Sequence, residues 1–523
     1  MRAFLRFLGA PGHCAPGLEH ALPGFAGWRL ASTPRVLAPA EVDRVFASCP
    51  RGATGLRDQA VLLLLARLGL RANEVAGLTI ADSDWRTGRL AVFGTGRRTE
   101  WLPLPQAVRA ALLRYVRRAR PPLPGPPVFA TVHAPWRPLT RQAVSHIVLT
   151  ALRDFRSAFH DDAVIQQAQA ARSAGQVAYI PAENAALQGL SRVTTALLHR
   201  VAAQGQCHKA TLDYDATIQE SHKREALPHD QGGRGYQPAA IYWVEQDLVV
   251  ADEYRDGNVP AGMETLPLIQ RGFASLPSTV REYDFRADSA CDNERTLQWL
   301  ADPRRPGGPP GPIGFTLSAD MTEPLHAVCA AVPEPAWALF EERPEETVHC
   351  TEVEFFPGDW RKDAEPLRAV ALRIRKRQGQ LFASGATTKY LAVVSNRWGL
   401  DAPALLRWHW QKAGTIELLH DITKNDLGAA VPPCGRFGAN AAWYRLSLLT
   451  YNVLSALKSL ALPPHLSTAR PKRLRFALFS LAGRLVTHAG QLWLRVRAAA
   501  ERLAGLIAAR HRLALIAQAL PAG

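Results

Sequence analysis

The sequence predicts an α/β core interrupted by a second module and preceded by a mostly helical segment. Three observations point there. Residues 1–150 are rich in Leu, Ala and Arg, with a single proline-rich break at 121–127 (PPLPGPP). Strand-like alternation starts at Lys209 and recurs at 240–251 and 280–288. After a Pro/Gly loop at 303–312 and a mixed stretch to about Asn396, residues 402–519 read as helical. Strands, then an interruption, then an acid-bearing helix is the order expected of an α/β core carrying an insert. At 523 residues the chain is long enough for two to four domains. The expected divisions are 1–151, 152–205, 206–300, 301–396 and 397–523. The second is read as helical, the third as the first part of the core and the fourth as the inserted module. The last holds the acid-bearing helix and a basic helical end.

Composition narrows the class. Hydrophobic residues make up 47% and charged residues 21%, a globular balance. No run approaches the roughly 18–20 apolar residues needed to span a bilayer. The apolar stretch at 61–65 reads as a buried helix, and Arg6 breaks the apolar segment a signal peptide needs. A cytoplasmic protein without a membrane partner is expected. Seven cysteines (Cys14, Cys49, Cys207, Cys291, Cys329, Cys350, Cys434) are scattered, with no C-x-x-C pair, so neither a zinc module nor a disulfide framework is expected. The net charge of +16 favours a polyanion, most commonly nucleic acid. The basic residues crowd 470–512, where only Glu501 opposes them, and Lys472, Arg473 and Arg475 are read as part of a DNA-backbone surface.

Carboxylates supply the candidate chemistry. In KATLDYDATI (209–218), Ala210, Leu212, Tyr214, Ala216 and Ile218 alternate onto one face, leaving Asp213, Asp215 and Thr217 on the other. One or both aspartates suit a hard cation. In VREYDFRADSACD (280–292) the apolar strand ends at Asp288, and the carboxyl end of a strand is where α/β sheets present ligands. In WHWQKAGTIELLHDITKNDL (408–427), Glu417, Asp421, Lys424 and Gly428 share one helical face, while Leu418, Leu419, Ile422 and Leu427 are expected to anchor the other. Two strand acids and a helix acid can jointly grip two divalent ions that activate a water or 3′-hydroxyl and stabilise the leaving oxygen. Lys424 is placed to meet a phosphate. Singly, each acid is more simply an edge residue or part of a solvated stripe.

Several segments change that balance. LDYDATIQESHKREAL, GRGYQPAAIYWVEQDLVVADEYRDGNVPAGMETL, RADSACDNERTLQWL, the long segment from KAGTIELLHDITKNDLGAAVPPCGRFGANAAWYRL onward and ARPKRLRFALFSLAGRLVTHAGQLWLR resemble, in order, the group-1 DDE transposases of bacterial insertion sequences. The resemblance covers about 152–515. It implies an RNase H-like DDE core with an insertion between the second and third acids and a helical C-terminal region. It also implies cleavage and strand transfer dependent on two Mg²⁺ ions, for which Mn²⁺ substitutes. The implied partners are double-stranded DNA (element ends and target) and a second copy of the chain, on the bacterial nucleoid. By motif Asp288 matches the second acid and Glu417 the third. The first is Asp213 or Asp215, with Asp215 favoured because it precedes a Thr by two. All four are candidate metal ligands. The wider clan's Y-x2-R-x3-E-x6-K signature reads here as Trp410, Ala413, Glu417 and Lys424, so its Tyr and Arg are absent, and Lys412 becomes a candidate for contact with the transposon end.

The N-terminal piece has another likeness. TGLRDQAVLLLLARLGLRANEVAGLTIADSDW resembles tyrosine recombinases of the phage-integrase type, whose G-L-R-x-x-E turn sets an Arg at the scissile phosphate. By that match Arg71 is a vestigial recombinase residue, or simply pairs with Glu74. RLAVFGTGRRTEWLPLP resembles the β-hairpin that follows, with Thr95 nearest the usual catalytic Lys and Arg97 and Arg98 poor proton donors beside it. The likeness stops near Ala151, with no H-x-x-R and no tyrosine nucleophile in frame. A mainly helical recombinase fragment unable to catalyse recombination is therefore expected, with apolar surface left uncovered. Three functions remain open: a DDE transposase, a catalytically silent DNA-binding chimera of two mobile-element genes, and a tyrosine recombinase.

Overall fold

A computed structural model describes residues 49, 52–93, 99–122, 125–157, 159, 166–167, 170, 178–205, 207–354, 367–377, 381–383, 385–479, 482–488, 491–497 and 500–518. Cys14, Thr95, Arg97 and Arg98 lie outside the described residues.

The N-terminal segment opens with α1 (Ala53–Leu68), whose Ala- and Leu-rich sequence ends at Gly69 in the left-handed region (φ 66°), the conformation a helix C-terminus favours and glycine tolerates. The short α2 (Ala72–Ala76) follows. Strands β1 (Ser83–Asp84), β2 (Arg89–Phe93) and β3 (Thr99–Pro103) make an antiparallel sheet, in agreement with the hairpin expected from the sequence. Helix α3 (Gln106–Arg118) buries Val108, Ala111, Leu112 and Tyr115, which fall at i, i+3, i+4 and i+7 and line one face. Helix α4 (Arg141–Ser157) runs straight through the division expected at 151/152. Helix α5 (Ala185–Ala202) follows, capped by Asn184, whose side chain accepts from Leu187 N.

A nine-stranded sheet dominates the rest. Its strands are β4 (Lys209–Ala216), β8 (Ala239–Trp243), β9 (Leu248–Glu253), β10 (Glu282–Ala287), β11 (Ile313–Ser318), β12 (Ala338–Glu342), β13 (Glu346–Val353), β14 (Arg368–Lys376) and β15 (Thr388–Ser395). Three short strands, β5 (Gln219–Glu220), β6 (Leu227–Pro228) and β7 (Arg234–Tyr236), form a side sheet. The order across the large sheet is 12-13-14-15-11-10-4-8-9. β4 and β11 flank β10 in parallel, whereas β8 runs antiparallel to β4, and β9 antiparallel to β8. Helices α6 (Thr265–Ala274), α7 (Glu294–Ala301) and α8 (Glu323–Ala331) contribute Leu268, Ile269, Phe273, Leu297, Leu300 and Leu325 to one core with Leu212, Tyr214, Phe285 and Phe315.

This architecture corrects the inserted module. Residues 301–396 do not form a separate body: β11 stands in the middle of the sheet and β12 to β15 extend it outward through the antiparallel β15–β11 pair. The Pro/Gly loop that marked the border in sequence only turns the chain from α7 into β11.

Beyond the sheet lie α9 (Ala402–Trp410), α10 (Ile416–Asn425), the long α11 (Phe437–Leu460) and the short α12 (Pro471–Leu474). α11 closes the β9 edge: the Asn452 amide accepts from Val249 N (2.7 Å) and donates to Val249 O (2.8 Å), standing in for a neighbouring strand. Arg445 on the same helix is buried against Asp252 of β9 and Glu183 before α5, tying three elements together. The C-terminal part is not all helix as expected. β16 (Ala482–His488) pairs antiparallel with β17 (Gln491–Arg497) before α13 (Ala500–Gln518). The alternating Leu, Val, Thr and Trp of RLVTH and QLWLRVR carry a period of two that the basic residues masked.

The recombinase-like segment has a core and shares it. One buried cluster runs from Val61, Leu64, Leu112 and Phe129 through Leu187 to Tyr236, Tyr254, Tyr444 and Leu448. Apolar surface does remain on this segment at Phe93, Trp101, Trp136 and Leu149. No helix among the described residues is long and apolar enough to cross a membrane.

Candidate catalytic acid cluster

The parallel pairing of β10 with β4 sets the site. Arg286 is level with Asp213 in the last registered pair; beyond it β4 continues through Asp215, while β10 ends at Ala287, one residue before Asp288. Neighbouring strands are about 4.8 Å apart.

The two β4 aspartates have different environments. Asp213 is fully buried, and its carboxylate takes a forked pair from Arg286, Nε to Oδ1 at 2.7 Å and Nη2 to Oδ2 at 2.9 Å, with the Thr415 hydroxyl as a further donor. Arg286 is itself held by the Trp408 carbonyl (2.7 Å) and lies over the Trp408 ring, which Arg397 also faces. Burial raises the Asp213 pKa and the Arg286 pair opposes that rise. Both Asp213 oxygens are thus engaged within the protein.

Asp215 stands one pleat closer to the open end of the strand. Lys412 Nζ is 3.6 Å from its Oδ1 and His420 Nε2 is 3.7 Å from its Oδ2. Burial pushes its pKa up to about 6; Lys412 opposes this, and the charges of Asp288 and Glu417 add to it. Asp288 is half-buried just past the end of β10, where its Oδ1 accepts from Ala290 N at 3.1 Å. Glu417 is exposed in the first turn of α10, where a carboxylate also meets the favourable end of the helix dipole. Two further acids, one at a strand end and one at a helix start, therefore act on the strand acid Asp215.

The lysines sit otherwise than the sequence suggests. Lys412, expected to reach for DNA, is buried and turned toward Asp215. Lys424 is half-buried; burial lowers its pKa, while the charges of Asp215 and Glu220 raise it. Of the apolar residues expected to anchor α10, Leu419 and Ile422 are buried but Leu418 is 45% exposed. Asp421 faces away from the acids to pair with Arg470 at 2.7 Å.

The C-terminal basic group is less free than a linear count of charges implies. Asp426, almost fully buried, accepts from Arg470 (3.0 Å) and Lys472 (3.1 Å). Arg473 is exposed and Arg475 half-buried. At the other end of the chain, Arg71 is 69% exposed and Glu74 engages it twice, through the Arg71 backbone N (2.7 Å) and more loosely through Nη1 (3.7 Å).

Sequence reasoning missed two residues here. His420 lies one helical turn past Glu417, a spacing that could have flagged it. Arg286 stands two residues before Asp288 inside the apolar run, and a charged side chain within such a run could have flagged a buried partner. Cys207, Cys291, Cys329, Cys350 and Cys434 are free thiols, as their spacing suggested.

The acids suit a cation on two observations. Mutual repulsion and burial leave Asp215 short of positive charge, and an ammonium lies against it. Among the described residues, however, no three His, Cys, Asp or Glu side chains already converge as a finished metal cluster.

Known proteins give the same two-part division. A family model described as Phage integrase family matches residues 35–161. Putative integrase/recombinase y4rA of Sinorhizobium fredii (strain NGR234) is 41% identical over 138 residues, 26% of this chain and 34% of that protein. Its y4rF is 40% identical over 158 residues, 29% of this chain and 37% of that protein. The tyrosine recombinase XerD of Pseudomonas aeruginosa is 34% identical over 129 residues, 24% of this chain and 42% of that protein. The chain thus spans well under half the length of these relatives. A solved piggyBac transposase synaptic complex with hairpin DNA aligns at a TM-score of 0.26 and 12% identity, over 47% of this chain and 48% of that one, too slight a likeness to speak for the fold. The model described as Transposase DDE domain group 1 matches residues 150–517, which hold all the acids above and most of the chain. The chain belongs to the group-1 DDE transposase family, with a segment similar to tyrosine recombinases ahead of its transposase part.

Proposed function

We propose that the chain catalyses metal-dependent DNA cleavage and strand transfer at the ends of an insertion element, with Asp215, Asp288 and Glu417 as its acids. The observation that carries this reading is their electrostatic convergence: Asp288 and Glu417, remote in sequence, both push up the pKa of Asp215. Perturbed carboxylates gathered at strand ends mark functional sites. The strand order 9-8-4-10-11, with β8 antiparallel and β10 parallel to the central β4, supports an RNase H-like core.

Asp215, Asp288 and Glu417 would hold Mg²⁺, or Mn²⁺ in its place. Bound there, such ions supply activation of the attacking hydroxyl and stabilisation of the leaving oxygen. The rest falls to the chain's own residues. Asp213, favoured less than Asp215 from the sequence, serves as the anchor of Arg286, which ties β4 and β10 to the last turn of α9 at Trp408. Lys412 balances the acids, and Lys424 stands where a DNA phosphate would approach them. Arg473 and Arg475 offer charge to the DNA backbone, and the net charge of +16 favours that partner. The protein would act in the cytoplasm, on nucleoid DNA, as a homodimer on paired ends. The exposed, Glu74-bound Arg71 supports a recombinase segment without catalysis of its own.

The test is cleavage of a labelled element-end fragment with Mg²⁺ or Mn²⁺, beside Glu417→Gln and Asp288→Ala. Nicking that needs metal and vanishes in both variants is expected; nicking that persists in Asp288→Ala would sink the reading. A silent DNA-binding chimera is the second reading, favoured by the ammonium of Lys412 lying against Asp215. It predicts salt-steep binding with no preference for element ends and no nicking.

A further inference from the structure

Among the described residues, His420 is a buried polar side chain that packing does not explain. It is 5% exposed, and neither ring nitrogen has a hydrogen-bond partner. A buried donor or acceptor left unpaired costs about 1–3 kcal/mol, so an apolar side chain of this size would serve packing better. Its placement is also specific. Nε2 points to Asp215 Oδ2 at 3.7 Å, just beyond hydrogen-bond range, while Lys412 addresses the other oxygen. The residue lies on α10, one turn past Glu417, so the helix that brings one acid to the site also brings an imidazole to another.

We propose that His420 is a positioning residue for Asp215: its Nε2–H closes onto Oδ2 once the acids are neutralised by a cation, fixing the carboxylate that faces Asp288 and Glu417. This rests on the acid assignment above and adds a residue to it. Carboxylates that ligate metals are commonly oriented by a hydrogen bond from a neighbour, and loss of that neighbour weakens metal binding about 10–100-fold. The imidazole makes no well-formed hydrogen bond to any residue, and the only polar neighbour acting on it favourably is Asp215 itself, through its backbone as well as its carboxylate.

The experiment is Mn²⁺ binding to the full chain, read as loss of the free-ion electron paramagnetic resonance signal, with the melting temperature recorded for each variant. His420→Leu is expected to weaken Mn²⁺ at least about tenfold without lowering the melting temperature. His420→Gln, whose amide nitrogen reaches about as far as Nε2, is expected to retain most of the affinity, and the shorter His420→Asn to lose it. If His420→Leu does not fold, the Gln and Asn pair decides. Wild-type affinity in His420→Leu, or equal losses in Gln and Asn, would overturn the proposal. Asp288→Asn and Glu417→Gln separate the two levels. If they lose Mn²⁺ while His420→Leu keeps it, only the positioning role falls. If they bind Mn²⁺ as the wild type does, the acid assignment falls and the inference with it.

Discussion

Replacing Asp213 and Asp215 by asparagine, two residues apart on one strand, shifts stability in opposite directions. Asp213 and Arg286 are 0% and 1% exposed and share a forked pair. Removing one partner of such a pair leaves the other charge buried and costs about 3–5 kcal/mol. For Asp213→Asn the lower end applies, because Arg286 keeps the Trp408 carbonyl and ring. In a domain of a few hundred residues that is a fall in melting temperature on the order of 5–10 °C. Asp215 carries the opposite sign. Its pKa of about 6 stands above the ordinary 3.8, so the folded state binds its proton more tightly than the unfolded chain does. Stability from this group is fully present below about pH 4 and is lost as pH rises to about 6, a loss of about 3 kcal/mol. At pH 7.5 Asp215→Asn removes that penalty, which is already net of the Lys412 contact, and the metal-free protein gains up to about 3 kcal/mol. The assay is thermal melting in EDTA at pH 7.5, with end cleavage measured in parallel. Asp215→Asn is expected to melt higher and to cleave nothing. Equal losses of stability in the two variants, or a stable Asp213→Asn beside an unstable Asp215→Asn, would refute the division of roles.

Further predictions follow from other contacts. Burial holds His409 near pKa 3 in the folded chain, between Thr316 Oγ1 and Ser318 Oγ, while the unfolded residue titrates at the ordinary 6.5. Its contribution is intact above pH 6.5 and is lost as pH falls toward 3, by about 2 kcal/mol between pH 7 and 5, so the stability of His409→Gln in urea should fall by about that much less than the wild type's over the same interval. Asn452→Ala strips the β9 edge of both partners at Val249 and should cost about 2–4 kcal/mol in urea unfolding; a loss below half a kcal/mol would show that the edge has another cover. Arg473→Ala should flatten the slope of log affinity against log salt by about 0.9, whereas Lys472→Ala, already paired with Asp426, should change it far less. Suicide DNA substrates should trap no covalent adduct through the recombinase-like segment, and a trapped phosphotyrosine would return that segment to catalysis.

Much of the candidate site was legible because its signals are local. Period-two alternation put Asp213 and Asp215 on one face of β4, and the end of the next apolar strand marked Asp288. The spacing of Glu417, Asp421 and Lys424 and the apolar face behind them put Glu417 on a helix, whose start just before it only the structure gave. The β2–β3 hairpin was expected through the resemblance of its segment to tyrosine recombinases rather than from a local period. What misled was texture. A proline loop looked like a domain border, yet strand pairing takes no account of it, and β11 joined the middle of the sheet. Basic residues concealed the β16–β17 alternation, because charge and period are independent signals.

The sequence by itself determined the residue types, the faces they share along each element and the order of the acids, since helix and strand periods are properties of the local backbone. Tertiary structure decided which aspartate is locked in an arginine pair and which faces Lys412 and His420. That choice depends on Arg286, 73 residues away from Asp213, meeting it across a parallel strand pair. It also turned Lys412 inward, set Asp426 beneath Arg470 and Lys472, and brought His420 to Asp215. The sign and strength of an electrostatic interaction depend on distance and burial, and neither is written in a linear count of charges.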